Sequence, residues 1–151
     1  GGWSSKLWPV EGYIELARWI LKETDLGVFI NCGPGEEVLA QKIKAAVADE
    51  RVADFTTTLR EYIHLARHAA VYVGSDSGPY HIAMALGVRA VGIFGPSDPE
   101  ICGPWDLRNP VVWNRDECAP CYKRTCAHPK CMTDIKPSSV ISAVIKALDN
   151  A

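Results

Sequence analysis

The sequence predicts an α/β domain in which helices flank a doubly wound parallel sheet. Short apolar segments, typical of buried strands, alternate along the chain with longer segments whose apolar side chains recur at helical spacing. Such alternation favours parallel strands joined by right-handed helical crossovers. The chain has 151 residues, of which 48% are hydrophobic and 23% are charged, and these values suit one globular domain with a core of its own.

The first half of the chain is predicted to contain a helix followed by two strand–helix units. Pro9 stands where proline commonly begins a helix, and apolar positions then recur at helical spacing. The next apolar run ends in the turn-forming residues 31–35, and acidic residues occupy the first turn of the following helix. The predicted elements are a helix over 10–24, a strand over 26–30, a helix over 36–49, a strand over 52–55 and a helix over 59–68.

The second half continues the alternation and then departs from it. Gly87 ends a helix of small residues, as glycine commonly does at a helix C-terminus. Residues 114–134 form a cysteine-rich loop, long enough to indicate a functional or metal-stapled insert. The predicted elements are a strand over 70–73, a helix over 78–86, strands over 88–94 and 111–113, and a closing helix over 138–148.

Charge and hydropathy exclude several classes of protein. The chain has 16 basic and 18 acidic side chains, a net charge of −2 and a pI of about 6.1, so bulk electrostatic binding to nucleic acid or anionic lipid is disfavoured. No apolar run approaches the roughly 18 residues that cross a bilayer. The first residues lack the order of a signal peptide and include no initiator methionine. We therefore expect a fragment, cut at its N-terminus from a longer chain.

Four of the six cysteines fall close together in the cysteine-rich loop, with His128 nearby. Their spacing, C-x2-C-x4-C-x4-C, allows four thiolates to close a tetrahedral zinc site, while two disulfides or free buried thiols are the alternatives. A chain of this length needs no disulfide scaffold, so we expect a reducing cytoplasm. The four candidate ligands are Cys118, Cys121, Cys126 and Cys131.

The strongest chemical motif follows the strand predicted over 70–73. Asp76, Ser77 and Gly78 lead into the next helix, where backbone amides can bind a phosphate or diphosphate. His81, one turn later, can donate to the same anion, and Asp76 can accept hydrogen bonds from sugar hydroxyls. The alternative is that Asp76 or Ser77 simply caps the helix and that His81 packs against the sheet.

Two weaker motifs also suit a nucleotide. The glutamates of Gly33-Pro34-Gly35-Glu36-Glu37 begin a helix where a ribose lies in nucleotide-binding α/β domains, although the helix dipole alone favours acids there. Lys6 precedes the first helix and can act as a point charge on phosphate, although most lysines are solvated at the surface.

Five motifs together resemble those of glycosyltransferase family 9, the ADP-heptose:lipopolysaccharide heptosyltransferases, and the cysteine-containing motif is more similar to the heptosyltransferase II branch. The resemblance covers nearly the whole chain. Where relatives carry hydroxyl side chains ahead of the lysine, Gly1 and Gly2 stand here. The motifs, in chain order, are Ser-Lys-x-Trp-Pro, Gly-x-Gly-Glu-Glu, Ser-Asp-Ser-Gly-Pro-x-His, Phe-Gly-Pro-Ser-Asp-Pro and Cys-x-Pro-Cys with a later Cys-Met.

The resemblance implies a GT-B enzyme with two Rossmann-like domains. Residues 1–151 would be the C-terminal, nucleotide-sugar-binding domain, including the loop 114–134, with the acceptor domain and the first strand absent. The implied donor-binding contacts are Lys6, Ser77 and Gly78 on the diphosphate, Glu37 on the ribose, the backbone near Thr57 on the adenine, and Asp76 and His81 facing the heptose and phosphates.

The implied activity is transfer of heptose from ADP-heptose to the lipopolysaccharide inner core with inversion. The catalytic base is expected in the absent half, so the isolated chain should bind ADP without turning over. We expect no cofactor requirement for transfer, no nucleic-acid partner, and a cytoplasmic location at the inner face of a Gram-negative inner membrane. A structural zinc ion at the four cysteines stays open beside two disulfides or free thiols. The alternatives are another nucleotide-sugar donor, another GT-B-like enzyme such as an epimerase, or a non-enzymatic, zinc-stabilised binding module.

Overall fold

The computed structural model describes residues 2–33 and 35–149, and Gly1 and Pro34 of the motifs above lie outside the described residues. Helices and strands alternate as predicted. The elements are a short 3-10 helix Ser4–Lys6, α1 Val10–Glu23, β1 Val28–Cys32, α2 Glu37–Val47, β2 Val52–Thr56, α3 Leu59–Ala66, β3 Tyr72–Ser75, α4 Gly78–Ala85, β4 Ala90–Phe94, α5 Pro99–Cys102, β5 Val111–Trp113, α6 Lys130–Thr133 and α7 Pro137–Asp149.

The chain divides into two compact units. The small unit is Pro9–Tyr62, and the large unit comprises the described residues of Gly1–Trp8 and Ile63–Ala151. The strands of the described residues form two parallel sheets, β1-β2 in the small unit and β3-β4-β5 in the large unit.

In the small unit, β1 and β2 run parallel, from Val28 beside Val52 to Cys32 beside Thr56. Arg51, just ahead of β2, donates to the carbonyl of Leu21 at 2.7 Å, which satisfies an acceptor in the last turn of α1. The buried side chains of α1 and α2 recur at helical spacing. Val38, which the helical pattern places on the apolar side of α2, is instead 62% exposed. The buried apolar side chains include Leu16, Ala17, Leu21, Ala40, Ile43 and Val52.

In the large unit, β4 is the central strand and is buried along its whole length, as expected of a parallel strand covered on both faces. Tyr80 and Met84 of α4 pack with Ala90 and Phe94 of β4 in one apolar cluster. Gly92 is required by this packing, because an added Cβ would lie 2.8 Å from the Tyr80 hydroxyl.

Helix and strand boundaries differ from the sequence prediction by a few residues. The helix α2 ends at Val47 because Ala48 adopts a left-handed conformation, with φ 53°, and terminates it. Three short helices were not predicted, namely Ser4–Lys6, α5 and α6, because segments of three or four residues carry no readable periodicity. Within the described part of the chain, no helix is long and apolar enough to cross a membrane.

Candidate functional site

The main candidate site lies in the large unit at the carboxyl ends of β3 and β4. These strands are parallel neighbours, so the segments that follow them, Asp76–Ser77 and Gly95–Ser97, emerge at the same edge of the sheet. The amide of Asp76 donates to the carbonyl of Ile93 at 3.3 Å, which continues the ladder one residue beyond β3.

Asp76 brings together two other predicted site residues. Asp76 is 6% exposed. The Lys6 ammonium lies 2.5 Å from Oδ2, and Nε2 of His81 lies 3.0 Å from Oδ1. Lys6, Asp76 and His81 therefore form a single cluster, although 70 positions separate the first two.

The electrostatics of this cluster keep Asp76 charged. Burial by itself raises the pKa of the carboxyl group, but Lys6, Ser97 and His81 hold it below its usual value, because each stabilises the carboxylate. Ser97 is 1% exposed, so its hydroxyl acts on the Asp76 carboxylate from within the protein interior. Sequence reasoning had included Ser97 only as part of a family motif.

The helix α4 begins at Gly78, and Ser77 is its N-cap residue with an extended backbone. The Ser77 side chain makes no capping hydrogen bond, and the Asp76 carboxylate contacts Lys6 and His81. The capping alternative is therefore wrong for the Ser77 side chain. Amides at a helix N-terminus are suited to phosphate oxygens, and a cation beside them adds to that preference.

A second group of predicted residues lies in the small unit, at the carboxyl ends of β1 and β2. The Thr57 hydroxyl donates to Oδ1 of Asn31 at 2.6 Å. Glu37 begins α2, and its Oε2 accepts the amide of Gly35 at 2.8 Å. Asn31 was not predicted as a partner of Thr57, because the pairing depends on the strand register.

The structure also bears on the three alternatives for the four cysteines of the cysteine-rich loop. Among the described residues, no group of three or more His, Cys, Asp or Glu side chains is arranged to hold a metal ion. Cys131 is buried on α6, whereas Cys118 and Cys126 are exposed. All four are free thiols. Burial and the neighbouring cysteines raise the pKa of Cys131 to about 11.

The comparison with known proteins agrees with this fold. The model of the family described as glycosyltransferase family 9 (heptosyltransferase) matches residues 2–132. A curated relative, lipooligosaccharide heptosyltransferase 2 of Campylobacter jejuni, is 28% identical over 98% of this chain and 48% of its own length. The chain therefore spans about half the length of the curated relatives that it matches.

Solved structures share the architecture. ADP-heptose lipopolysaccharide heptosyltransferase II of E. coli superimposes with a TM-score of 0.81 at 24% identity, over 97% of this chain and 43% of that one. An E. coli heptosyltransferase solved with ADP gives a TM-score of 0.76 at 19% identity, over 95% and 41%. At these identities the likeness is informative about the fold alone, and the predicted α/β class is confirmed.

Proposed function

The chain belongs to glycosyltransferase family 9, and from this membership we propose that it is the donor-binding domain of an enzyme that transfers heptose from ADP-heptose to the lipopolysaccharide inner core with inversion. Its relatives include proteins named lipooligosaccharide and lipopolysaccharide heptosyltransferases. The observation that carries the proposal is the cluster of Lys6, Asp76 and His81 at the N-terminus of α4.

The chemistry of sugar transfer suits this cluster. As the bond between the sugar and the nucleotide breaks, negative charge develops on the leaving diphosphate, and preorganised positive groups stabilise it. Lys6 supplies a positive charge, the amides around Ser77 and Gly78 supply oriented donors, and His81 supplies a further donor at the same edge. Asp76 pairs with Lys6 and His81 and is assigned to the side of the site that faces the sugar.

The nucleoside is assigned to the small unit. Glu37, at the start of α2, is proposed to accept the two ribose hydroxyls, and the backbone near Thr57 to contact the adenine. Support comes from their positions, since both lie after parallel strands, where ligands bind in open α/β sheets. The hydrogen bond from Thr57 to Asn31 fixes this strand end.

The remaining functions are proposed for the part of the protein beyond this chain. The acceptor hydroxyl must lose a proton during transfer, and we assign its base to the acceptor domain. Domain closure would then assemble the complete site. We further propose that transfer needs no added cofactor, and that the full protein works in the cytoplasm at the membrane face that carries its lipid acceptor. The zinc-stabilised binding module has no support, because the described residues form no metal site.

The test is a calorimetric titration of the chain with ADP, with GDP and UDP in parallel. We expect selective binding of ADP, weakened about tenfold or more by Lys6→Ala and by Glu37→Ala, since each loses a contact worth roughly 1.5 kcal/mol to a charged group. Lys42→Ala and Glu15→Ala, which remove exposed side chains of the same types, are the matched controls.

The outcomes separate the alternatives. Preference for GDP or UDP would retain the glycosyltransferase and reject heptose as the donated sugar. Failure to bind any of the three nucleotides would contradict the assignment of this chain as a self-sufficient donor-binding domain. Transfer by the isolated chain would contradict the assignment of the base to the acceptor domain.

A further inference from the structure

The segment that carries Lys6 is anchored to the cysteine-rich loop through Ser5. The Ser5 side chain is 1% exposed. Its hydroxyl donates to the carbonyl of Lys123 at 2.5 Å, and its amide donates to the carbonyl of Arg124 at 3.3 Å. Ser5 thus uses both of its donors on two consecutive residues that lie 118 and 119 positions later in the chain.

Two tryptophans strengthen this anchorage on either side of Lys6. The Lys6 ammonium lies 4.4 Å from the ring centre of Trp3, and the Arg124 guanidinium lies 5.5 Å from the same ring. The indole of Trp8 donates to the carbonyl of Ile135, just beyond the cysteine-rich loop, at 2.9 Å. Lys6 is therefore flanked by residues that are held from the same part of the chain.

The cysteine-rich loop also contacts the opposite side of the candidate site. The amides of Cys121 and Tyr122 both donate to the carbonyl of Pro96, at 3.0 and 2.9 Å, and the Tyr122 hydroxyl accepts the amide of Asp98 at 3.3 Å. Ser97 lies between these two points. Residues 121–124 therefore touch both segments that surround Asp76, the one carrying Lys6 and the one carrying Ser97.

A lysine needs such support to act at a fixed point. Its side chain is long and has many rotamers, so holding it in one conformation costs conformational entropy. If the backbone at Lys6 were also mobile, that cost would rise further. Anchoring the preceding residue to a distant loop removes the backbone contribution before any ligand arrives.

We propose that Ser5 is a positioning residue for the anion site, through which residues 121–124 of the cysteine-rich loop set the place of Lys6 opposite Asp76. The inference deepens the proposed function, on which it rests, because it assigns a task to a loop and to a serine that contribute no group to the nucleotide. Loss of the Ser5 hydroxyl frees the backbone at Lys6, so that the ammonium is displaced both from Asp76 and from the anion site, and the affinity for a diphosphate falls.

The test compares Ser5→Ala, Lys6→Ala and the double variant by two independent measurements. Calorimetry gives the affinity for ADP, and NMR titration of the Asp76 carboxyl carbon reports the ion pair without any nucleotide. Val140→Ala is the control, since this residue of α7 is fully buried and contributes no polar group to the site. Asp76 interacts electrostatically with four other titratable groups, which are monitored in the same experiment. These groups are Lys6, His81, Tyr80 and Cys102.

We expect Ser5→Ala to weaken ADP binding about fivefold to tenfold, the equivalent of one buried hydrogen bond, and to have no effect when Lys6 is already alanine. The pKa of Asp76 should rise toward its ordinary value in Ser5→Ala. Val140→Ala should lower the stability and leave both the ADP affinity and the Asp76 pKa unchanged.

Additive effects of Ser5→Ala and Lys6→Ala, or an unchanged Asp76 pKa in Ser5→Ala, would overturn the inference. If the unsubstituted chain fails to bind ADP while Ser5→Ala still shifts the Asp76 pKa, the positioning role stands and the proposed function fails. Should Ser5→Ala not fold, Trp3→Leu replaces it, because it removes the aromatic ring between Lys6 and Arg124 without opening a core position. The same dependence on Lys6 is expected there, and its absence would count against the inference.

Discussion

Replacing Asp76 with asparagine should strengthen ADP binding while weakening the fold. The carboxylate holds Lys6 at 2.5 Å and His81 at 3.0 Å, and it is 6% exposed. Asparagine keeps the size of the side chain but removes its charge. In the variant, a bound diphosphate would no longer compete with a carboxylate for the Lys6 ammonium. In the unsubstituted protein, the diphosphate and Asp76 share that ammonium.

The magnitudes follow from these distances. Breaking a buried ion pair by neutralising one partner costs about 3–5 kcal/mol, and here about 2 kcal/mol is expected, because asparagine retains an acceptor and Lys6 is partly exposed. Two oxygens that contact one ammonium lie about 5 Å apart, where unit charges repel by about 3 kcal/mol at an effective dielectric of about 20. Relief of one third of that repulsion would raise the ADP affinity about fivefold.

The assays are ADP calorimetry at pH 7 and urea unfolding at several pH values. The lowered pKa of folded Asp76 means that its contribution to stability is present above the ordinary carboxyl pKa and is lost as the pH falls through that range toward the folded value. Asp76→Asn should therefore flatten the acid side of the stability profile. If the variant instead loses ADP affinity as strongly as Lys6→Ala, Asp76 contacts the nucleotide directly, and the reasoning on competition for Lys6 is refuted.

Two further predictions concern buried titratable groups. Cys131 should react with a thiol reagent far more slowly than the exposed Cys118 and Cys126, because a pKa of about 11 reduces its thiolate fraction about 100-fold. Peptide mass spectrometry gives the order in which the cysteines are labelled, and early labelling of Cys131 would contradict the prediction. Burial raises the pKa of Tyr62 to about 12, so stability should fall as the pH rises from 10 to 12. Tyr62→Phe should flatten that alkaline decline, measured by denaturant unfolding, and an unchanged slope would argue against burial as its cause.

Much of the fold was readable from the sequence because each longer element carries its own periodicity. The apolar stripe of α1 and the wholly apolar strand β4 can each be recognised from their own residues. The alternation of helices and strands along the chain then predicts parallel pairing. Observed helix ends differ from the predicted ones where the backbone of a single residue ends the helix, as Ala48 does for α2. The division of the strands into two sheets was not predicted, since sheet membership depends on contacts between distant segments.

The part of the candidate site that could be predicted is the part whose residues lie close together in the sequence. Asp76, Ser77, Gly78 and His81 stand within six positions, and a strand–turn–helix motif is enough to single them out. Lys6 was a candidate, but the residues near it in the sequence do not indicate that it pairs with Asp76. Ser5 was beyond reach, because its role depends on carbonyl groups more than a hundred positions away.

The ion pair between Lys6 and Asp76 also bears on which anions can bind at this site. Lys6 already pairs with the Asp76 carboxylate, so its affinity for a lone inorganic phosphate ion is low. Such an ion must displace Asp76 with a single point of attachment. A nucleoside diphosphate brings a second phosphate, a ribose and a base, so it can offset the loss of that internal partner. The carboxylate thereby acts as an internal competitor that disfavours the binding of small anions at Lys6.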